Sequence, residues 1–136
     1  MGFEIKDHTA DVAVAATGPT IEAVFGNIAN GLAETMCDEW PDTGMEYRIT
    51  VSAENQEALL FDYLDELIYR RDIENVLPVD HTVTITERNE AIELVGTFRG
   101  IPLTAITARE IKAVTYADMK LTETEEGWEA YVVFDV

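Results

Sequence analysis

From Thr20 onward, Ile21, Val24, Phe25, Ile28, Ala29, Leu32 and Met36 recur at intervals of three and four residues. That period holds them on one face of an α-helix, with Thr20 as N-cap and Glu22 well placed in the first turn. The pattern predicts an amphipathic helix over roughly residues 20–37. A second stripe, Leu59, Leu60, Tyr63, Leu64, Leu67 and Ile68, predicts a helix over about 56–71, capped by Asn55. Glu66 precedes Arg70 by one helical turn and is positioned for a modest ion pair. Elsewhere the period falls to two, most clearly in Thr82–Thr86 and Ile92–Val95, which predicts strands of a half-solvated sheet. Glu87–Glu90, with Asn89 available for a positive φ, reads as one hairpin connection. Glu126-Gly127 reads as another, between Met119–Thr124 and Trp128–Asp135. Shorter strands are expected at Phe3–Lys6, Val12–Ala16, Tyr47–Ser52 and Ile111–Tyr116. Together these elements predict an α+β fold, a two-layer sandwich of two amphipathic helices against a mostly antiparallel β-sheet.

The chain, 136 residues and 47% hydrophobic, is of a size to build one core, and no repeat or Pro/Gly/Ser-rich linker divides it. A single domain over residues 1–136 is expected, with Pro19, Pro41, Pro78 and Pro102 at turns. No apolar run is long enough to span a bilayer, and Met1, Gly2, Phe3 and Glu4 lack the blocks of a signal peptide, so a cytoplasmic location is expected. Cys37 is the only cysteine, which excludes an internal disulfide and a thiolate metal cluster within one chain. It reads as a small buried hydrophobe on a helix, with a reactive thiol as the alternative.

Charge changes the picture most. Asp and Glu number 27 against 9 Lys and Arg, a formal net charge of −18, and the lysines are Lys6, Lys112 and Lys120. A surface this negative repels phosphate backbones, so tight direct RNA binding is not expected. The acids are scattered along the chain with no acidic tail. This favours adaptation to a high-salt, halophilic cytoplasm over a single docking patch for a basic partner.

Candidate chemistry is sparse. The chain has no Gly-rich phosphate loop, Gly-x-Ser-x-Gly elbow, His-Glu-x-x-His or zinc-type Cys/His spacing, and an enzyme is not expected. A small hydrolase built on His8 and Asp11 lacks a positioned nucleophile. Asp62, Asp65 and Glu66 flank an apolar stripe and read as its solvated side. Lys112, flanked by Ile111 and Ala113, either faces outward or touches a phosphate or a partner carboxylate. In His8-Thr9-Ala10-Asp11 an imidazole, a hydroxyl and a carboxylate share one short loop; taken alone, Asp11 can equally cap a turn and His8 pack. At the other end, alternation places Trp128, Ala130, Val132 and Phe134 on one strand face and Tyr131, Val133 and Asp135 on the other. Val136 follows Asp135 and brings a terminal carboxylate close to it, an arrangement that needs solvent or a cation. If the fold brings Asp11 to this end, hard oxygen donors converge that suit Ca²⁺ or Mg²⁺ and not Zn²⁺.

These segments, taken in order, resemble the archease family along the whole chain. The resemblance rests on Asp7-His8-Thr9-Ala10-Asp11, Val24-Phe25, Leu59-Leu60 with Leu64-Asp65-Glu66-Leu67, Ile111-Lys112-Ala113-Val114-Thr115-Tyr116, and Val133-Phe134-Asp135-Val136. One departure is Ala117, where the family pattern usually has histidine after the Thr-Tyr pair. The resemblance implies an accessory factor that promotes guanylylation and multiple turnover of an RtcB-type RNA ligase in tRNA splicing, the ligase performing the chemistry. It also implies a divalent cation, calcium with magnesium or manganese as alternatives, held by Asp11, Asp135 and Val136, with His8 and Lys112 as further functional candidates. The competing class is a chaperone-like protein-interaction module whose metal site is structural.

Overall fold

The computed structural model describes residues 2–7 and 11–136, with Lys6 and Asp7 described for their backbone alone. Among the described residues the order is β1 (Phe3–Asp7), β2 (Asp11–Gly18), α1 (Ile21–Met36), β3 (Met45–Ala53), α2 (Gln56–Glu74), β4 (Val76–Arg88), β5 (Ala91–Pro102), β6 (Ala113–Thr124) and β7 (Gly127–Asp135), with a 3-10 turn at Leu103–Ala105. Both helices start where their caps predict. Thr20 Oγ1 accepts from the Ala23 N–H at 3.1 Å, and Asn55 Oδ1 accepts from the Ala58 N–H at 2.9 Å. Each bond satisfies a donor that the first helical turn leaves unpaired. The Glu66–Arg70 pair forms at 3.0 Å. α2 runs past the expected end at Arg71 because its stop signal comes later, at Asn75, which takes the left-handed conformation (φ 55, ψ 45).

The strands divide into two antiparallel sheets, β1-β2-β7-β6 and β3-β5-β4. The α+β class is the expected one; the division into two sheets was not legible in the periodicity. In the β4–β5 turn Asn89 takes a positive φ (45) as expected, and Glu90 does so too (70). Gly127 opens β7 at φ 141, where a side chain would also collide with the Gly18 carbonyl. The two short strands expected at 111–116 and 119–124 are one strand, β6, which begins after Ile111 and slips register between Thr115 and Lys120. Both halves pair with the unbroken β7, so the intervening residues bulge out: Asp118 adopts φ 58, and the Ala117 N–H donates to Thr115 Oγ1 at 2.9 Å. Pro78, expected at a turn, lies inside β4 opposite Gly100. β4 is an edge strand, where a missing N–H need not break the ladder.

α1 runs between the sheets, packing against β2 and against β4, and none of its residues is fully exposed. Its two inner glycines show how closely. A Cβ on Gly31 would meet Val14 Cγ1 at 2.5 Å and Phe3 at 3.1 Å, whereas one on Gly26 would meet only the His81 carbonyl, at 3.5 Å. α2 packs on β6 and β3. Phe25, Ile28, Leu32, Leu60, Tyr63, Leu64, Leu77, Phe98 and Phe134 fill the shared core. Cys37 is buried as expected, though just past α1, where its N–H bonds the Ala33 carbonyl and its Sγ lies 3.0 Å from the Glu39 carbonyl. The last turn of α1 has no basic residue of its own. Arg109 supplies one, donating from Nε and Nη2 to the Thr35 carbonyl at 3.0 and 2.7 Å.

His81 sits at the second register shift, in β4, with Nε2 3.1 Å from the Pro78 carbonyl and Nδ1 3.5 Å from the Tyr63 hydroxyl. A carbonyl only accepts, so Nε2 carries the proton and Nδ1 is left to accept from the phenol. Burial pushes the imidazole down to about 4, against the opposing pull of the Pro78 carbonyl and Asp80. Burial also pushes the Tyr63 hydroxyl well above its ordinary range.

Two outcomes follow. Unfolded His81 takes up a proton near pH 6.5 that the folded protein refuses until about 4, so this residue's contribution is complete above pH 6.5 and is lost on descent toward 4. Urea unfolding at pH 7 and pH 5 should show wild type losing about 2 kcal/mol more than His81→Gln, the difference that a fall from 6.5 to about 4 produces between those two pH values; parallel losses would mean that His81 titrates normally. Gly31→Ala should destabilise by about 1–3 kcal/mol through overpacking against Val14, while Gly26→Ala should be neutral or stabilising. Thermal melts of the two variants check this, and equal melting temperatures would contradict the close approach at Gly31.

Candidate metal centre

Alternation along β2 and β7 decides which residues share a face. Val12, Val14 and Ala16 pair with Phe134, Val132 and Ala130, and all six belong to the core. Asp11 and Asp135, one step further along each strand, are therefore direct partners on the opposite face. Directly opposed residues of an antiparallel pair carry Cβ atoms about 4.5–5.5 Å apart. The next strand of the row contributes Ala113, opposite Asp135, whose methyl group leaves space beside the carboxylates. The Lys112 N–H donates to the Asp135 carbonyl at 2.9 Å, so Asp135 is held from both sides and Val136 follows it directly.

Asp11 is half-buried, and Asp135 and Val136 are exposed. Among the described residues neither carboxylate enters an ion pair. Two like charges this close repel, and a bound cation offsets the repulsion. The donors on offer, two carboxylates and the main-chain oxygen of Val136, are hard oxygens fit for a calcium-like ion. His8 lies outside the described residues. Lys112 points its side chain into solvent just before β6, and its contribution to the tip within this chain is its backbone N–H. Asp62 and Glu66 are half-buried and Asp65 is exposed on α2, Glu66 being committed to Arg70.

Two features near this centre were missed in the sequence. Tyr116, at the β6 bulge, stacks on Phe61 of α2, a contact between segments far apart in the chain with no local signal. A hollow of about 410 Å³ lies further along the same outer sheet face, lined by Glu4, Ala15, Thr17, Lys120, Glu129 and Tyr131 among others. Among the described residues, no helix is long and apolar enough to cross a membrane.

Residues 3–136 match the Archease protein family. The chain is 34% identical to the protein archease of Methanothermobacter thermautotrophicus over 99% of both chains. It is 34% identical to that of Methanosarcina barkeri, covering 98% of this chain and 95% of the relative. The solution structure of Methanobacterium thermoautotrophicum protein 1598 superposes with a TM-score of 0.86 at 34% identity, covering 99% of each chain. A Thermotoga maritima crystal structure, described as an archease and possible chaperone, shares the fold with a TM-score of 0.66 at 24% identity, covering 98% and 96%. With the family matched along almost its whole length and named relatives at this level of identity, the chain belongs to the archease family.

Proposed function

We propose that this protein is an accessory factor for an RtcB-type tRNA-splicing RNA ligase, promoting the ligase's guanylylation and its multiple turnover, with a divalent cation, calcium by preference, at Asp11, Asp135 and Val136. The observation that carries this reading is the direct pairing of Asp11 with Asp135 in a chain of the archease family. When bound, the cation supplies positive charge against the phosphates of the ligase's GTP. The residues of this chain hold and present the site. Asp11 and Asp135 stand side by side on paired strands, and the Lys112 N–H fixes the Asp135 main chain. The ammonium of Lys112, exposed beside the tip, is available to a phosphate or to a partner carboxylate. The remaining acids keep RNA from binding directly. We read them as adaptation to a salty cytoplasm, so assays belong at high salt.

A chaperone-like role is the second reading. It is favoured by the exposed Met45, Tyr69 and Ile73, and by the description of the Thermotoga maritima protein as a possible chaperone.

Substoichiometric protein should raise labelled-GTP incorporation into the ligase at high salt, and Asp11→Ala should abolish that stimulation at unchanged melting temperature. An Asp11→Ala variant that stimulates normally would sink the metal tip as the working part. A wild type that lowers light scattering by heated proteins without affecting the ligase would favour the second reading. Calcium at about 100 times its Kd should add about 2.7 kcal/mol of stability to wild type and none to Asp11→Asn or Asp135→Asn. Equal calcium shifts in all three would place the ion elsewhere.

A further inference from the structure

Tyr116 leaves β6 at the bulge and lays its ring flat on Phe61 of α2, with centroids 4.1 Å apart and planes 5° from parallel. Phe61 is half-buried against the core, whereas Tyr116 is 55% exposed. One face of Tyr116 therefore rests on Phe61 and the other meets solvent. Near-parallel stacking on Phe61 covers one π face of Tyr116, and the uncovered face carries the negative side of the ring quadrupole. A cation on the open face is attracted by the same quadrupole.

The surroundings favour one kind of cation. Asp62, beside Phe61 in sequence, lies close enough to push the Tyr116 hydroxyl up, secondary to desolvation. Asp118 is exposed on the same bulge, Asp65 is exposed one turn along α2, and Ala117 adds only a methyl group. Among the described residues no Lys or Arg pairs with Asp62, Asp65 or Asp118. A flat, weakly hydrated guanidinium can stack on the ring and donate sideways to a carboxylate, whereas a compact ammonium does one or the other. An RNA base could stack too, but it would bring phosphates to a chain of net charge −18.

The geometry points to an arginine-bearing protein surface as the occupant of this site, the guanidinium lying on the open face of Tyr116 with Asp62 as its acceptor. Thr115, just before Tyr116, pairs with Val133, two residues from Asp135, so the stack and the acidic tip lie at the same end of β6. The tip lies on the outer face of the sheet and the stack on its α2 side, and for the partner's identity this inference rests on the ligase reading.

The test measures binding of a short peptide of arginines spaced by glycines against its lysine counterpart. It is run at about 1 M salt, where the Debye length of about 3 Å removes non-specific attraction. Wild type should prefer the arginine peptide by about threefold to tenfold, with shifts of the Tyr116 and Phe61 ring resonances. Tyr116→Ala should lose the preference, the isosteric Asp62→Asn should reduce it, and Tyr69→Ala, on an outer turn of α2, should keep it. Equal affinity for the two peptides, a preference that survives both Tyr116→Ala and Asp62→Asn, or Tyr116 shifts produced instead by oligouridine would overturn the proposal. The assay contains no ligase. A protein that stimulates guanylylation yet shows no arginine preference refutes this site and leaves the ligase reading standing, and the reverse result does the opposite.

Discussion

Strands from the two ends of the chain, β2 and β7, pair residue for residue from Asp11 opposite Asp135 to Gly18 opposite Trp128, and much else in the molecule depends on that ladder. It joins the β1–β2 and β6–β7 hairpins into one sheet. Closing so long a loop costs chain entropy before any contact offsets it. The offset comes from the inner face, where Val12, Val14, Phe134 and Val132 are buried together with α1. The same register that buries these side chains forces Asp11 and Asp135 onto the outer face as neighbours. A slip of one residue would exchange the faces, placing aspartates in the core and valines in solvent, so packing specifies the acidic pair as strictly as it specifies the core.

The scarce cations are used in a way that sharpens the acidity of the surface. Arg109 closes the end of α1 through the Thr35 carbonyl. Arg99 bridges Asp80 to the Pro41 and Thr43 carbonyls, tying the loop before β3 to β4 and β5. The buried Arg71 is held by Asp72, with Met36 Sδ against its remaining nitrogen. These guanidinium groups neutralise helix ends and loop carbonyls more than they pair with distant carboxylates. Most acids are thus left to solvent and counterions.

The tip and the aromatic stack both border strand β6. Its first residue, Ala113, lies opposite Asp135, and its bulge presents Tyr116 to Phe61. The bulge disturbs the ladder locally, directly after Thr115.

The local signals in the sequence were sufficient for the helix starts and the two hairpin turns. Thr20 and Asn55 mark true caps, Glu66 and Arg70 pair, Asn89 turns a hairpin, and alternation assigns Phe134 to the core and Asp135 to the outside, because each effect acts within a few residues. That Asp11, Asp135 and Val136 offer hard oxygen donors was legible as well, since it follows from the residue types wherever they lie. Tertiary structure alone decided that Asp11 faces Asp135, that the strands form two sheets with α1 between them, that Ala117 and Asp118 bulge from one strand instead of ending it, and that Tyr116 meets Phe61. Those outcomes depend on which distant strands pair and in what register, and that is decided by the packing of whole faces, to which no short window of sequence has access.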